Sequence, residues 1–246
     1  YLRLPKRYGN AKYPEVHIVD MLSNQKETGK FDQVVSGLLQ DKIEEKLKKN
    51  EQIILIQNRR GFSPIVKCRD CGVQVMCRQC KIALTYHKSK NKLVCHFCSF
   101  FVKNEMLICK ECGNPNLIYS GTGTQKVEQL IRETFPKSKI CRLDMDTSKS
   151  NTGLTSILKS FSNQEFDILI GTQMVAKGLD FPNATLVGII NADLGLYLPD
   201  FRATEKVFQL IYQASGRSGR SAKKGEVVIQ TYSPNSAVIK NAKNLN

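Results

Sequence analysis

Eight of the nine cysteines fall into four Cys-x-x-Cys half-sites: Cys68/Cys71, Cys77/Cys80, Cys95/Cys98 and Cys109/Cys112. Two thiolates from one tight turn, set against two from another, satisfy a tetrahedral zinc ion. Disulfide frameworks belong to secreted chains, and no signal-peptide pattern precedes these cysteines. The spacing therefore predicts two structural zinc ions, each held by four thiolates. Four half-sites can pair in three ways. Sequential pairing leaves only GVQVM to fold Cys77 back onto Cys71, which is short. Nested pairing joins Cys77/Cys80 to Cys95/Cys98 across KIALTYHKSKNKLV, a segment patterned like a β-hairpin with a polar tip, and leaves Cys68/Cys71 to meet Cys109/Cys112. Nesting is the expectation, and an interleaved, cross-braced arrangement stays open. His87 and His96 are left over by the ligand count and are expected to bind no metal.

A second group of residues suits phosphate. YQASGRSGR places Arg217 and Arg220 three apart, each behind a glycine, at the end of a segment with helical spacing. GTQMVAKGLDF sets a glycine, a threonine, a lysine and an aspartate immediately beyond an apolar run. In GTGTQKVEQL, Gly121 and Gly123 alternate with Thr122 and Thr124 at a helix start, where free backbone amides suit an anion, although a plain threonine cap explains that segment as well.

The elements that must position these residues alternate between two periods. The runs IILI (53–56), KICRL (139–143), DILI (167–170), TLVGII (185–190) and VVIQT (227–231) read as buried strands. Helical spacing is clear in VVSGLLQDKIEEKLKK, in KVEQLIRETF and where Val207, Leu210, Ile211 and Ala214 recur on one face. Such alternation predicts an α/β fold with a parallel sheet, interrupted by a small two-zinc, cysteine-rich β module. The expected boundaries are 1–66 for the first part of the α/β domain with an N-terminal linker, 67–117 for the zinc module and 118–246 for the remainder. Strand LIYSG is expected to resume the α/β domain after the module, and Cys141 to pack in a strand.

The formal charge of +15 favours a polyanionic partner. Zinc moderates this, because each ion with four thiolates carries −2 and brings the module itself to only about +2. Tyr86, Phe97, Phe100 and Phe101 lie among the module's lysines, where they can stack on bases or build the module's core. No apolar run approaches the length of a membrane span, so the chain reads as cytosolic and no membrane partner is expected. It opens on Tyr1 and reads as part of a longer protein.

ILIGTQMVAKGLDFPNATLVGIINAD resembles motif V of superfamily 2 helicases, and YQASGRSGR resembles their motif VI, Q-x-x-G-R-x-G-R. With the cysteine-rich insertion ahead of them, NRRGFSP before it and DFRATEK after motif V, essentially the whole chain resembles the second, RecA-like lobe of the bacterial replication-restart helicases. In that family the zinc sites are nested. The resemblance implies that Arg217 and Arg220 are motif VI arginines, the second a finger that reaches a γ-phosphate across an interlobe cleft. It makes Gln213 a residue that couples nucleotide state to lobe closure. Gly178 and Asp180 then lie near the nucleotide, and Thr172 and Gln173 meet the DNA backbone or relay its state. Thr122 and Thr124 would contact phosphates of the tracking strand. Arg59, Arg60, Arg202 and Glu205 are weaker candidates, with surface ion pairing the plainer explanation.

A complete helicase also needs a P-loop, G-x-x-x-x-G-K-[ST], and an acidic motif for Mg²⁺; the sequence carries neither. ATP with Mg²⁺ is therefore expected to be shared with a first lobe outside this chain, and the chain alone to hydrolyse none. The other partners implied are forked or single-stranded DNA, an N-terminal DNA-binding domain, single-stranded DNA-binding protein and primosome components. Two other readings stay open: a non-enzymatic zinc adaptor on an α/β carrier, and another superfamily 2 translocase with a zinc insertion.

Overall fold

The computed structural model describes residues 14–29, 33–57, 65–87, 90–103, 108–120, 123–144, 151–172, 175, 181–196, 202–216 and 224–243. Six strands form one parallel sheet: β1 (Glu15–Asp20), β2 (Gln52–Ile56), β8 (Ile140–Leu143), β9 (Ile168–Gly171), β10 (Ala184–Ile189) and β11 (Glu226–Thr231), in the order β1-β11-β10-β2-β9-β8. All five runs read as strands are in it. Their residues alternate between two buried faces. Ile53 and Leu55 enter one core with Ile168 and Ile170, whereas Ile54 and Ile56 enter the other with Leu169, Val187 and Ile189.

Helices cover both faces. On one lie α2 (Gly37–Lys48), which contributes Leu39 and Ile43, and α3 (Thr124–Thr134), which contributes Val127 and Ile131. On the other lie α4 (Asn151–Ser162), α5 (Ala203–Ser215) and α6 (Ala237–Lys243). The four positions spaced for one face of α5, Val207, Leu210, Ile211 and Ala214, are all buried there. Helix α2 starts where the Ser36 side chain accepts the amide of Leu39, an ordinary N-cap. A short helix, α1 (Met21–Thr28), follows β1 directly, capped by Asp20.

The cysteine-rich segment builds a second, antiparallel sheet from β3 (Ile65–Cys68), β4 (Thr85–His87), β5 (Lys92–Val94), β6 (Phe101–Lys103) and β7 (Leu117–Ser120), in the order β6-β5-β4-β3-β7. Strands β4 and β5 are the expected hairpin. LIYSG departs from expectation. As β7 (LIYS) it pairs with β3 and closes the second sheet rather than joining the parallel one, because so short a run fits either sheet and only the partner decides. Among the described residues, no helix is long and apolar enough to cross a membrane.

Candidate functional site

The four cysteine turns are built alike. In each, the amide of the last residue but one of a six-residue loop returns to the first cysteine: Gly72, Lys81, Ser99 and Gly113 donate to the carbonyls of Cys68, Cys77, Cys95 and Cys109 at 2.9–3.0 Å. The first cysteine's own amide donates to the residue five positions on, namely Val73, Ile82, Phe100 and Asn114, at 2.7–2.9 Å. The residue after the second cysteine is left-handed in every turn, with φ of 75° at Gly72, 55° at Lys81, 60° at Ser99 and 73° at Gly113.

The turns meet in nested pairs. Cys68, Cys71, Cys109 and Cys112 form one group and Cys77, Cys80, Cys95 and Cys98 the other, with the sulfurs of each group within 4.8 Å of one another. The interleaved arrangement is excluded. Sulfur separations of 3.5 Å for Cys68–Cys112 and Cys71–Cys109 and 3.6 Å for Cys77–Cys98 are far too long for disulfides. They suit a tetrahedral ion, since two sulfurs about 2.3 Å from one zinc stand roughly 3.8 Å apart. Two all-sulfur groups that could each hold a metal ion are thus in place. Burial pushes the Cys77 thiol up, but the amides of Cys80 and Gln79 outweigh it and hold it at about 7. At Cys109 burial is likewise outweighed, by the amides of Cys112 and Glu111, again to about 7. Cys141, by contrast, is buried in β8 and pushed up to about 12 by burial, as a core residue is.

The aromatic residues of the module divide. Tyr86 and Phe100 pack against its small core, while Phe97 and Phe101 are 73% and 54% exposed. His87, at the end of β4, faces His96 of the Cys95–Cys98 turn.

In the parallel sheet, β9 delivers the segment expected to meet nucleotide or DNA. Gly171 ends the strand where a Cβ would lie 2.2 Å from Val175 Cγ2 and 2.8 Å from the Leu143 carbonyl, so only glycine fits. Thr172 follows it, buried, with its amide toward the Leu143 carbonyl. Gln213 lies half-buried in the last turn of α5, which ends at Ser215 and is capped by Gly216, the residue before Arg217. Arg202 stands exposed at the start of α5, and Glu205 is exposed and accepts a hydrogen bond from Gln209. Arg59, Arg60, Thr122, Gln173, Gly178, Asp180, Arg217 and Arg220 lie outside the described residues.

Thr124 requires a correction. Its side chain is buried and donates to Asp144 Oδ2 at 2.7 Å, which also receives Arg142 Nη1 at 2.7 Å. The hydroxyl braces α3 against the end of β8 and is not turned outward to a phosphate. Nor is it the helix cap: that residue is Gly123, which has no side-chain bond to offer, so the first amides of α3 have no cap acceptor.

Two features had no place in the reading of the sequence. Asp193, fully buried just past β10, accepts Thr231 Oγ1 at 3.0 Å and the Tyr232 amide at 2.7 Å, tying the ends of β10 and β11 together. Burial pushes its carboxyl up. The signal was a carboxylate placed four residues beyond a fully buried strand. The second is the seam between the sheets. Lys67 of β3, 5% exposed, places its ammonium 3.3 Å from the centre of the Tyr232 ring. Beside it, Leu22 of α1 packs on Gly72, where a Cβ would lie 3.4 Å from Leu22 Cδ2. The outer cysteine group is thereby seated on the parallel sheet.

Comparison with known proteins adds the family. The model of the helicase conserved C-terminal domain matches residues 89–222. The chain is 43% identical over 233 residues to the replication restart protein PriA of Bacillus subtilis, covering 95% of this chain and 29% of that protein. It is 42% identical over 243 residues to PriA of Chlamydia trachomatis (97% and 32%) and 39% identical over 250 residues to PriA of Synechocystis (100% and 30%). The chain therefore spans about a third of the length of these relatives. The family match opens between β4 and β5 and omits β1 and β2, which the parallel sheet shows to be its edge and its centre. Because that match takes in more than half of the chain, and the similarity to PriA proteins nearly all of it, the chain belongs to the helicase conserved C-terminal domain family.

Proposed function

We propose that this chain is the C-terminal motor lobe of an ATP-dependent 3′-to-5′ DNA helicase of replication restart, carrying two structural zinc ions. The observation that carries the reading is the pairing of two things in one chain: nested four-cysteine groups seated on a parallel sheet, and end-to-end similarity to PriA proteins. In this reading ATP and Mg²⁺ lie between the lobe and another that supplies the P-loop. Arg220 donates to the γ-phosphoryl oxygens as charge develops on them, and Arg217 supports it. A guanidinium suits this task because it stays charged and offers several donors in a fixed plane.

The remaining residues act by placement. Helix α5, anchored by its buried face, sets the starting point of the segment that carries both arginines, with Gln213 one turn before it. Gly178 and Asp180 approach the nucleotide, and Thr172 and Gln173 meet the backbone of the tracking strand, joined by Thr122 and the amides at the start of α3. Arg59 is a further DNA contact. DNA, forked or single-stranded, is the polyanion that the chain's basic charge favours, and single-stranded DNA-binding protein and primosome components are the protein partners of the same reading. Zinc supplies a four-thiolate crosslink in each group and takes no part in turnover.

ATP hydrolysis with and without a lobe bearing a P-loop tests this. The chain alone should hydrolyse no ATP even with DNA present, and a longer protein that includes such a lobe should show DNA-stimulated turnover. Turnover by the chain alone would refute the division of labour, and none from the longer protein would favour an adaptor without a motor.

A further inference from the structure

His87 and His96 are not needed by either cysteine group, yet they are held against each other. Their Nε2 atoms stand 3.2 Å apart, their ring centres 5.0 Å apart with an interplanar angle of 53°, and the contact is exposed. Neither position is accidental in the backbone. His87 ends β4, paired with Lys92 of β5, and His96 is the first residue inside the Cys95–Cys98 turn, whose amide bonds fix its Cα. The hairpin and the turn together preset the two imidazoles.

We propose that His87 and His96 form a third metal site, bidentate through the two Nε2 atoms, for a divalent first-row transition ion, with water in the remaining positions. Imidazole nitrogen suits zinc and nickel. Two nitrogens about 2.0–2.1 Å from one tetrahedral ion stand roughly 3.3 Å apart, close to the separation already present. Without metal the same spacing serves one Nε2–H···Nε2 bond, so loading moves a single proton to Nδ1 and gives up one exposed hydrogen bond, a small cost. Lys92, the cross-strand partner of His87, has its ammonium engaged with the Phe101 ring, 4.7 Å from its centre. The inner cysteine group with its zinc carries −2, which favours a second dication nearby. That electrostatic contribution rests on the zinc reading of the cysteines; the imidazole geometry does not.

Calorimetric titration of the full chain, already holding two zinc ions, with Ni²⁺ tests the site. The wild type should take up one further ion. His87→Gln and His96→Gln should each weaken that event by more than about tenfold, since losing a ligand costs at least what losing its outer-shell partner does. Both variants should still hold two zinc ions, which separates loss of the site from loss of the fold. As an independent readout, long-range ¹H–¹⁵N spectra with one extra equivalent of Zn²⁺ should shift the Nε2 resonances of both rings. No third binding event, or one that both variants retain unchanged, would overturn the proposal.

Discussion

At the scale of single residues, the chain separates groups that act from groups that hold others in place. Glu226, at the start of β11, belongs to the second kind. It receives Lys42 Nζ and Lys46 Nζ, each at 2.6 Å, and Lys46 is itself buried. Burial pushes the Glu226 carboxyl up, but these two ammonium groups outweigh it and hold the carboxyl down at about 2. Because that is below the ordinary 4.5, the stabilisation is complete above about pH 4.5 and is lost as the pH falls toward 2. Glu226→Gln leaves two lysines facing an amide, and should lower unfolding free energy at neutral pH by about 3 kcal/mol while flattening the acid limb of the stability profile. Equilibrium denaturation from pH 7 to 3 measures both. Thr124 shows what a sequence hides at this scale. A threonine just after a glycine at a helix start looks like a phosphate contact, and only the position of Asp144, twenty residues on, shows that its hydroxyl is already engaged.

At the scale of elements, the four cysteine turns invite a clean comparison, because two end on glycine and two on a residue that resists left-handed backbone. Gly113 has nothing within 4 Å of a would-be Cβ, so Gly113→Val tests conformation alone and should cost about 1–2 kcal/mol. Ser99→Gly should have the opposite sign and gain up to about 1 kcal/mol. Rates of zinc loss to a chelator should follow: faster for the first variant, slower for the second. Much at this scale was legible beforehand. The five buried strands announced themselves as apolar runs, and loop length favoured nested over sequential pairing, whereas the interleaved pairing stayed open until the sulfurs were placed together. Strand β1 did not, since EVHIVD is an edge strand, half exposed and carrying Glu15, His17 and Asp20, so it shows no continuous apolar signal. The seam through Lys67, Tyr232 and Leu22 was equally unreadable, because it joins residues far apart in sequence whose types are ordinary on any surface.

At the scale of the whole molecule, stability is divided unequally. The parallel sheet has two extensive cores that need no metal, whereas the second sheet has one small core in which Cys77 and Cys95 are themselves members. Structural zinc typically contributes on the order of 10–16 kcal/mol of apparent binding energy to the segment it folds. Chelation should therefore strip hydrogen-exchange protection from the second sheet and leave β2, β9 and β10 protected; collapse of both sheets together would show that the seam couples them more tightly than the packing implies. The central claim, however, concerns the motor. Its most direct test is DNA-stimulated ATP turnover, at saturating nucleotide, of a protein containing this lobe together with a P-loop lobe, with Arg220 intact and with Arg220→Ala. The account predicts a fall of about 10³-fold or more in the variant, with zinc content and DNA affinity preserved. Turnover within a few-fold of the unaltered protein would contradict it.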